Sequence, residues 1–213
     1  QINFLTTFDR LKLIKMKTTL IVIATFFAIS IGYSQVDSTN FKAQYSKLLE
    51  KLNDENWSES QAICKLLLDY AEPNDSMQIE KKVLRYIYIY STAGLLNEKK
   101  LTKDEALKST MSLKGKEMIT PAHPIKSNCY VNCTHLADEK KNTFFSSTNN
   151  AQGTQIFSFE YIEIKDDIKE TKEELEGKYI RFKATLDEIA VEGNMLPRFK
   201  LKFSNGEYQF LEE

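Results

Sequence analysis

Both histidines of the chain and two of its three cysteines lie within 13 residues of one another. These residues are His123, Cys129, Cys133 and His135. Imidazole nitrogens and thiolates are the ligands of tetrahedral zinc sites, so the residue types suit zinc. The spacing H-x5-C-x3-C-x-H is not a standard structural zinc pattern, in which the second ligand pair is distant from the first. We retain the four residues as candidate metal ligands, and zinc is the one cofactor that the sequence suggests.

The local backbone decides which chemistry these cysteines can perform. In a strand over residues 128–136, Cys133 and His135 would share a face and could share a metal ion. Cys129 and Cys133 would then lie about 13 Å apart, which is too far for a disulfide. If the segment turns instead, a disulfide between them becomes possible. Packed or free thiols, a disulfide and a metal site are therefore three open interpretations, while Cys64, within a helical apolar pattern, is predicted to be a small buried hydrophobe.

Other catalytic motifs are missing from the sequence. It contains no G-x-S-x-G, no P-loop, no G-x-G-x-x-G and no H-E-x-x-H. The acidic residues of 166–174 are interpreted as a solvated helix face. No catalytic residue is nominated.

The elements that must position these residues change character near residue 115. Apolar residues recur with a 3.6-residue period between residues 41 and 113, which predicts about four antiparallel helices in a helical domain over 35–114. Ser58 and Gln61, and also Thr102 and Glu105, have the spacing of a capping box. Gly94 is expected to weaken the end of the third helix.

Residues 115–213 are predicted to form a mostly antiparallel β domain with one short helix. Apolar residues alternate along 156–164, 180–191 and 199–210, and the amphipathic segment 166–176 interrupts them. The apolar parity shifts near 187–188, which indicates a β-bulge. Residues 192–194 are predicted to turn, and Asn205-Gly206 is a strong hairpin signal because type I′ turns require positive φ. The predicted fold class is therefore α+β.

The segment GKYIRFKATLDEI, residues 177–189, resembles the opening strand of an OB-fold barrel. The resemblance covers about 35 residues and rests on a glycine followed by alternating apolar residues. It implies a small five-stranded barrel with one curved ligand-binding face. Because only about three strands follow Gly177, such a barrel would take its other strands from residues 116–164.

Residues 16–34 have the pattern of a secretory signal peptide. Lys17 supplies a basic n-region, Leu20–Ile31 is an uncharged apolar stretch of 12 residues, and Gly32 and Ser34 are small residues before a cleavage site at Gln35. A membrane-spanning helix needs about 20 apolar residues, so cleavage is favoured over an uncleaved anchor. Residues 1–15 are interpreted as an upstream segment outside the fold. The sequence therefore predicts export to the periplasm or the medium, with no membrane span after cleavage.

Charge and compartment together restrict the expected partners. The chain has 29 basic and 30 acidic residues, and removal of residues 1–34 leaves 25 and 29, a net charge of −4. Nucleic-acid binding, which depends on basic surfaces, is not expected. The sequence favours an exported, non-enzymatic binding or assembly protein whose partner is a protein or a small ligand. The alternative is a metal- or thiol-dependent exported enzyme using His123, Cys129, Cys133 and His135.

Overall fold

The structure, a computed structural model, describes residues 39–127, 130–137 and 142–211. The predictions for the upstream segment 1–15, for the signal peptide 16–34 and for Cys129 fall outside these residues. Within them, every helix is too short or too polar to cross a membrane.

Four helices come first in the described chain, and consecutive helices pack on one another. Their bounds are α1 Phe41–Asn53, α2 Trp57–Ala71, α3 Gln78–Asn97 and α4 Lys103–Thr110. A 3₁₀ turn, Met111–Leu113, follows α4, and a one-turn helix, α5 Lys172–Leu175, lies later among the strands.

Side-chain caps explain where two of these helices begin. The Thr102 side chain accepts from the Glu105 backbone N–H while the Glu105 carboxylate accepts from the Thr102 N–H, so the capping box predicted for α4 is confirmed. The box predicted at Ser58 is wrong. Asn56 caps α2 instead, because its side chain accepts the Glu59 N–H and leaves Trp57 as the first helical residue.

Gly94 does not end α3, which continues to Asn97. The glycine instead permits a close approach of Trp57 from α2, since a Cβ at position 94 would lie 2.1 Å from Trp57 Cδ2. The Trp57 ring also meets Tyr90 of α3 and Phe157 edge-on, at centroid distances of 5.5 and 5.1 Å. The missing side chain therefore serves helix packing at the centre of the core.

The strands form one seven-stranded sheet. They are β1 Glu117–Ile119, β2 His123–Pro124, β3 Cys133–Leu136, β4 Thr143–Asn149, β5 Ile156–Ile164, β6 Tyr179–Glu192 and β7 Arg198–Leu211. Their order is β1-β6-β7-β5-β4-β3, and β2 also pairs with β6. All pairs are antiparallel except β5 with β7, which is parallel. The α+β class with a mostly antiparallel sheet is confirmed.

The register of β6 against β7 tests two local predictions. It shifts between Leu186 and Glu188, which confirms the predicted bulge. The hairpin predicted at Asn205-Gly206 is wrong, because β7 runs unbroken from Arg198 to Leu211. Asn205 has the positive φ, 51°, that a type I′ turn requires. It lies within β7, however, opposite a second register shift between Lys183 and Thr185 of β6.

The sheet is open along the order given above, so a closed OB-like barrel is not confirmed. Its two ends nevertheless approach each other. Ile125 forms a single parallel bridge with Thr134 of β3, and its N–H donates to the Lys178 carbonyl beside β6 at 2.9 Å.

The helices and the sheet share one hydrophobic core. They belong to one compact unit, Val36–Glu213, in which α3 contacts β1, β5 and β7. Arg85 of α3 donates to the Glu117 carbonyl at 2.9 Å and pairs with Glu72, which directly follows α2, at 2.7 Å. The predicted boundary near residue 115 thus separates helical from strand sequence within a continuous core.

Candidate functional site

An open cleft of about 820 Å³ lies between the helices and one end of the sheet. The first side is formed by helical residues with a shared apolar or aromatic character: Tyr45, Leu49 and Leu52 of α1, and Val83, Tyr86, Ile87 and Tyr90 of α3. The opposite side is formed by residues 119–124, which run from the end of β1 through the β1–β2 connection to β2, together with residues 148–151, Asn132, Tyr179 and Arg181.

The β1–β2 connection is held against the sheet at Thr120. Its N–H donates to the Phe182 carbonyl at 3.0 Å, and its hydroxyl accepts from the Phe182 N–H at 3.2 Å. Pro121 follows and has no N–H with which to continue a ladder. The chain therefore leaves the sheet at this point and lines the cleft before it returns as β2.

A buried carboxylate lies beneath the floor of the cleft. Glu160 of β5 has no exposed surface. Its Oε1 accepts hydrogen bonds from the Tyr86 hydroxyl, from Thr148 Oγ1 at 3.0 Å and from Ser158 Oγ at 2.7 Å. Its Oε2 has no hydrogen-bond partner in the described part of the chain. Tyr86 and Thr148 therefore connect the cleft to an acidic group that the cleft does not reach.

His123 extends this network, because its Nε2 lies 2.9 Å from Thr148 Oγ1. The single hydroxyl hydrogen of Thr148 is used toward Glu160, so His123 Nε2 carries the proton that it shares with Thr148. Burial lowers the pKa of His123, although the Glu160 charge opposes the shift. Burial, and next the Glu160 charge, raise the pKa of Tyr86 well above its ordinary value. At neutral pH the floor consequently presents a neutral imidazole and a protonated phenol.

The wall formed by β4 and its following loop is fixed by amide groups. Asn149 accepts from the Tyr90 hydroxyl through its carbonyl at 3.0 Å and donates its N–H to Asn132 Oδ1 at 2.9 Å. Asn150 donates its side-chain amide to Glu55 at 2.9 Å. This side of the cleft is therefore tied by hydrogen bonds to α3, to the α1–α2 connection and to the segment before β3.

The structure does not bring the two histidines together. His123 contacts Thr148, whereas the His135 ring lies 5.0 Å from the Phe145 ring. Positions 145 and 148 of β4 point to opposite faces of the sheet, because side chains alternate along a strand. Of the three nominated residues that the structure describes, His123 lines the cleft and Cys133 and His135 do not.

The segment before β3 turns. Asn132 has a left-handed φ of 49°, and β3 begins only at Cys133. Cys133 is buried and disulfide-bonded, whereas Cys64 is a buried free cysteine, as predicted. Among the described residues no group of three or more His, Cys, Asp or Glu side chains could hold a metal ion. Cys133 in its disulfide offers no thiolate to a zinc ion, and Cys129, the remaining cysteine of the predicted set, lies outside those residues.

Sequence reasoning missed the buried carboxylate and its donors. Glu160 shares its strand parity with Ile162 and Ile164, which are buried. A charged residue at an inward position of a central strand was therefore the available signal. Tyr86 belongs to the buried core, and its hydroxyl faces Glu160.

No protein-family model matches the chain, and neither a curated protein nor a solved structure gives a significant match. The cleft combines a large apolar lining with a few fixed hydrogen-bonding groups, which is the composition of small-molecule sites.

Proposed function

We propose that this protein is an exported, non-enzymatic binding protein whose cleft holds a small ligand with an apolar body. The observation that carries the proposal is the cleft itself. Its volume of about 820 Å³ is that of a pocket for a small organic molecule. Aliphatic and aromatic side chains of α1 and α3 would cover the apolar body.

The burial and the hydrogen bonds of the Glu160 carboxylate favour binding over catalysis. Glu160 is closed off from the cleft, and its Oε1 already accepts three internal hydrogen bonds. It orients Tyr86 and Thr148 instead of meeting a ligand. Cys133, nominated for thiol chemistry, is disulfide-bonded and so holds no thiolate.

The proposed compartment is the periplasm or the medium, after cleavage of residues 16–34. The disulfide at Cys133 supports it, because disulfides persist in oxidising compartments. The intact mass of the protein recovered from the producing cells tests this part. A chain starting at Gln35 is expected, and a mass that retains residues 16–34 would contradict cleavage.

We further propose that strands β3 to β7 form an OB-like barrel that is partly open. Five strands and an incomplete closure are features of that fold. The bridge from Ile125 to Thr134 and the pairing of β2 with β6 support it, since residues 123–125 lie between the first and fourth of these strands.

Calorimetric titration with 1-decanol, a neutral apolar probe, tests the binding function. We expect saturable binding that Ala122→Phe weakens at least tenfold, because the new ring occupies the cleft that Ala122 lines. Ala190→Phe is the matched control, since position 190 is half-buried on β6 away from the cleft lining. Absence of binding, or equal loss in both variants, would contradict the proposal.

A further inference from the structure

The exposed side of the β6–β7 pair shows a regular pairing of charges. Lys183 meets Glu207 at 2.6 Å, and Lys202 meets Glu188 at 2.7 Å. Lys200 meets Glu192 at 3.0 Å. These lysines are therefore compensated by carboxylates of the same two strands.

Arg181 breaks this pattern. It is exposed on β6, and the residue opposite it on β7 is the neutral Gln209. Among the described residues, its guanidinium has neither an ion pair nor a side-chain hydrogen bond. In the described part of the chain, the Arg181 guanidinium is thus a cation without a partner carboxylate, unlike the three paired lysines of the same two strands.

Arg181 lies where a molecule bound in the cleft would meet its charge. It lines the large cleft and also a neighbouring cleft of about 390 Å³, and Val83 and Ile119 line both as well. The two clefts therefore adjoin each other at Arg181, Val83 and Ile119. Burial raises the pKa of Tyr45 of α1, and the charge of Arg181, across the cleft, acts on that hydroxyl in the opposite direction.

We infer that Arg181 binds the anionic group of the ligand, and that the ligand class is an amphipathic organic anion, a monocarboxylate with an aliphatic body. This inference rests on the proposed binding function. A guanidinium offers two parallel N–H donors that match a carboxylate, which makes arginine well suited to such recognition. The apolar walls of α1 and α3 cover the body of the same molecule.

A matched pair of probes, decanoate and 1-decanol, tests the inference by calorimetric titration at pH 7.5. The two molecules have the same chain length and differ in charge at one end. We expect the protein to bind decanoate about tenfold more tightly than decanol. In Arg181→Gln the ratio of the two affinities is expected to fall to about one.

Two further variants sharpen the test. Gln209→Glu places a carboxylate opposite Arg181 and should lower the decanoate preference while retaining the arginine. Lys202→Gln removes a paired cation outside both clefts and should keep the preference.

Failure of the inference is distinguishable from failure of the binding function. Equal affinities for both probes in the unmodified protein, or a decanoate preference that survives Arg181→Gln, would overturn the role of Arg181 while leaving the cleft as a binding site. If neither probe binds, the proposed function fails, and the inference fails with it.

Discussion

The hydroxyl of Tyr86 on α3 donates a hydrogen bond to the buried carboxylate of Glu160 on β5. This contact joins the helices to the sheet directly beneath the cleft. Both groups are shielded from water, Tyr86 at 5% exposure and Glu160 at 0%. A charge-assisted hydrogen bond in such a place contributes more than one at the surface.

Removal of that hydroxyl should destabilise the protein. Tyr86→Phe leaves Glu160 with one donor fewer, so the free energy of unfolding is expected to fall by about 1–3 kcal/mol. Urea denaturation followed by circular dichroism measures it. Tyr90→Phe is the control, because Tyr90 donates to a neutral carbonyl and its loss should cost about 1 kcal/mol or less. Unchanged stability in Tyr86→Phe would contradict the assigned role.

The Glu72–Arg85 pair should make stability depend on pH in the acid range. The Arg85 hydrogen bonds, with help from Lys116, lower the pKa of Glu72 from 4.5 to about 2. A depressed pKa in the folded state means that the stabilisation is complete above pH 4.5 and is lost as the pH falls toward 2. Between pH 7 and pH 3 the unmodified protein should lose about 2 kcal/mol more than Glu72→Gln, as measured by urea denaturation. Parallel pH curves for the two proteins would refute this assignment.

Gly94→Ala should reverse the usual effect of this substitution in a helix. Alanine ordinarily stabilises a helix interior by about 1 kcal/mol relative to glycine. Here the new Cβ would lie 2.1 Å from Trp57, so a net loss of about 1–3 kcal/mol is expected. Thermal unfolding of the single variant and of Gly94→Ala combined with Trp57→Leu measures the coupling. Replacing Trp57 by leucine should recover part of the stability that Gly94→Ala loses. If the stability losses of the two substitutions simply add, Trp57 is not the side chain that the new Cβ meets.

Cys64 should be inert in the native protein. It has no exposed surface, its Sγ lies 3.3 Å from the Leu84 carbonyl, and burial raises the pKa of its thiol. Thiolate is the reactive form, so iodoacetamide should modify Cys64 only after unfolding. Mass spectrometry after alkylation with and without urea checks this. Rapid modification under native conditions would show that the helices open readily at this point.

Two of the local signals in the sequence predicted local features correctly. The capping box of Thr102 and Glu105 and the bulge near Glu188 depend on residues a few positions apart, and both are present. The Asn205-Gly206 signal failed because a distant strand decides the outcome. Lys165, next to β5, donates to the Gly206 carbonyl at 2.9 Å, and a Cβ there would lie 2.8 Å from the Glu163 carbonyl.

The candidate site was less predictable for the same reason. His123 was nominated because it clusters with Cys129, Cys133 and His135 in the sequence, but its partner Thr148 is 25 residues away. Tyr86 and Glu160 are separated by 74 residues and belong to a helix and a strand. Spacing rules describe neighbours within one element, so they cannot find a network that tertiary packing creates.

The most direct test of the central claim is a methyl NMR titration of the protein with 1-decanol. We expect saturable shifts for methyl groups that line the cleft, those of Leu49, Val83, Ile87 and Ile119, while the methyls of Ile189 and Val191 stay unchanged. The absence of saturable shifts, or shifts centred on Ile189 and Val191, would contradict a binding function for this cleft.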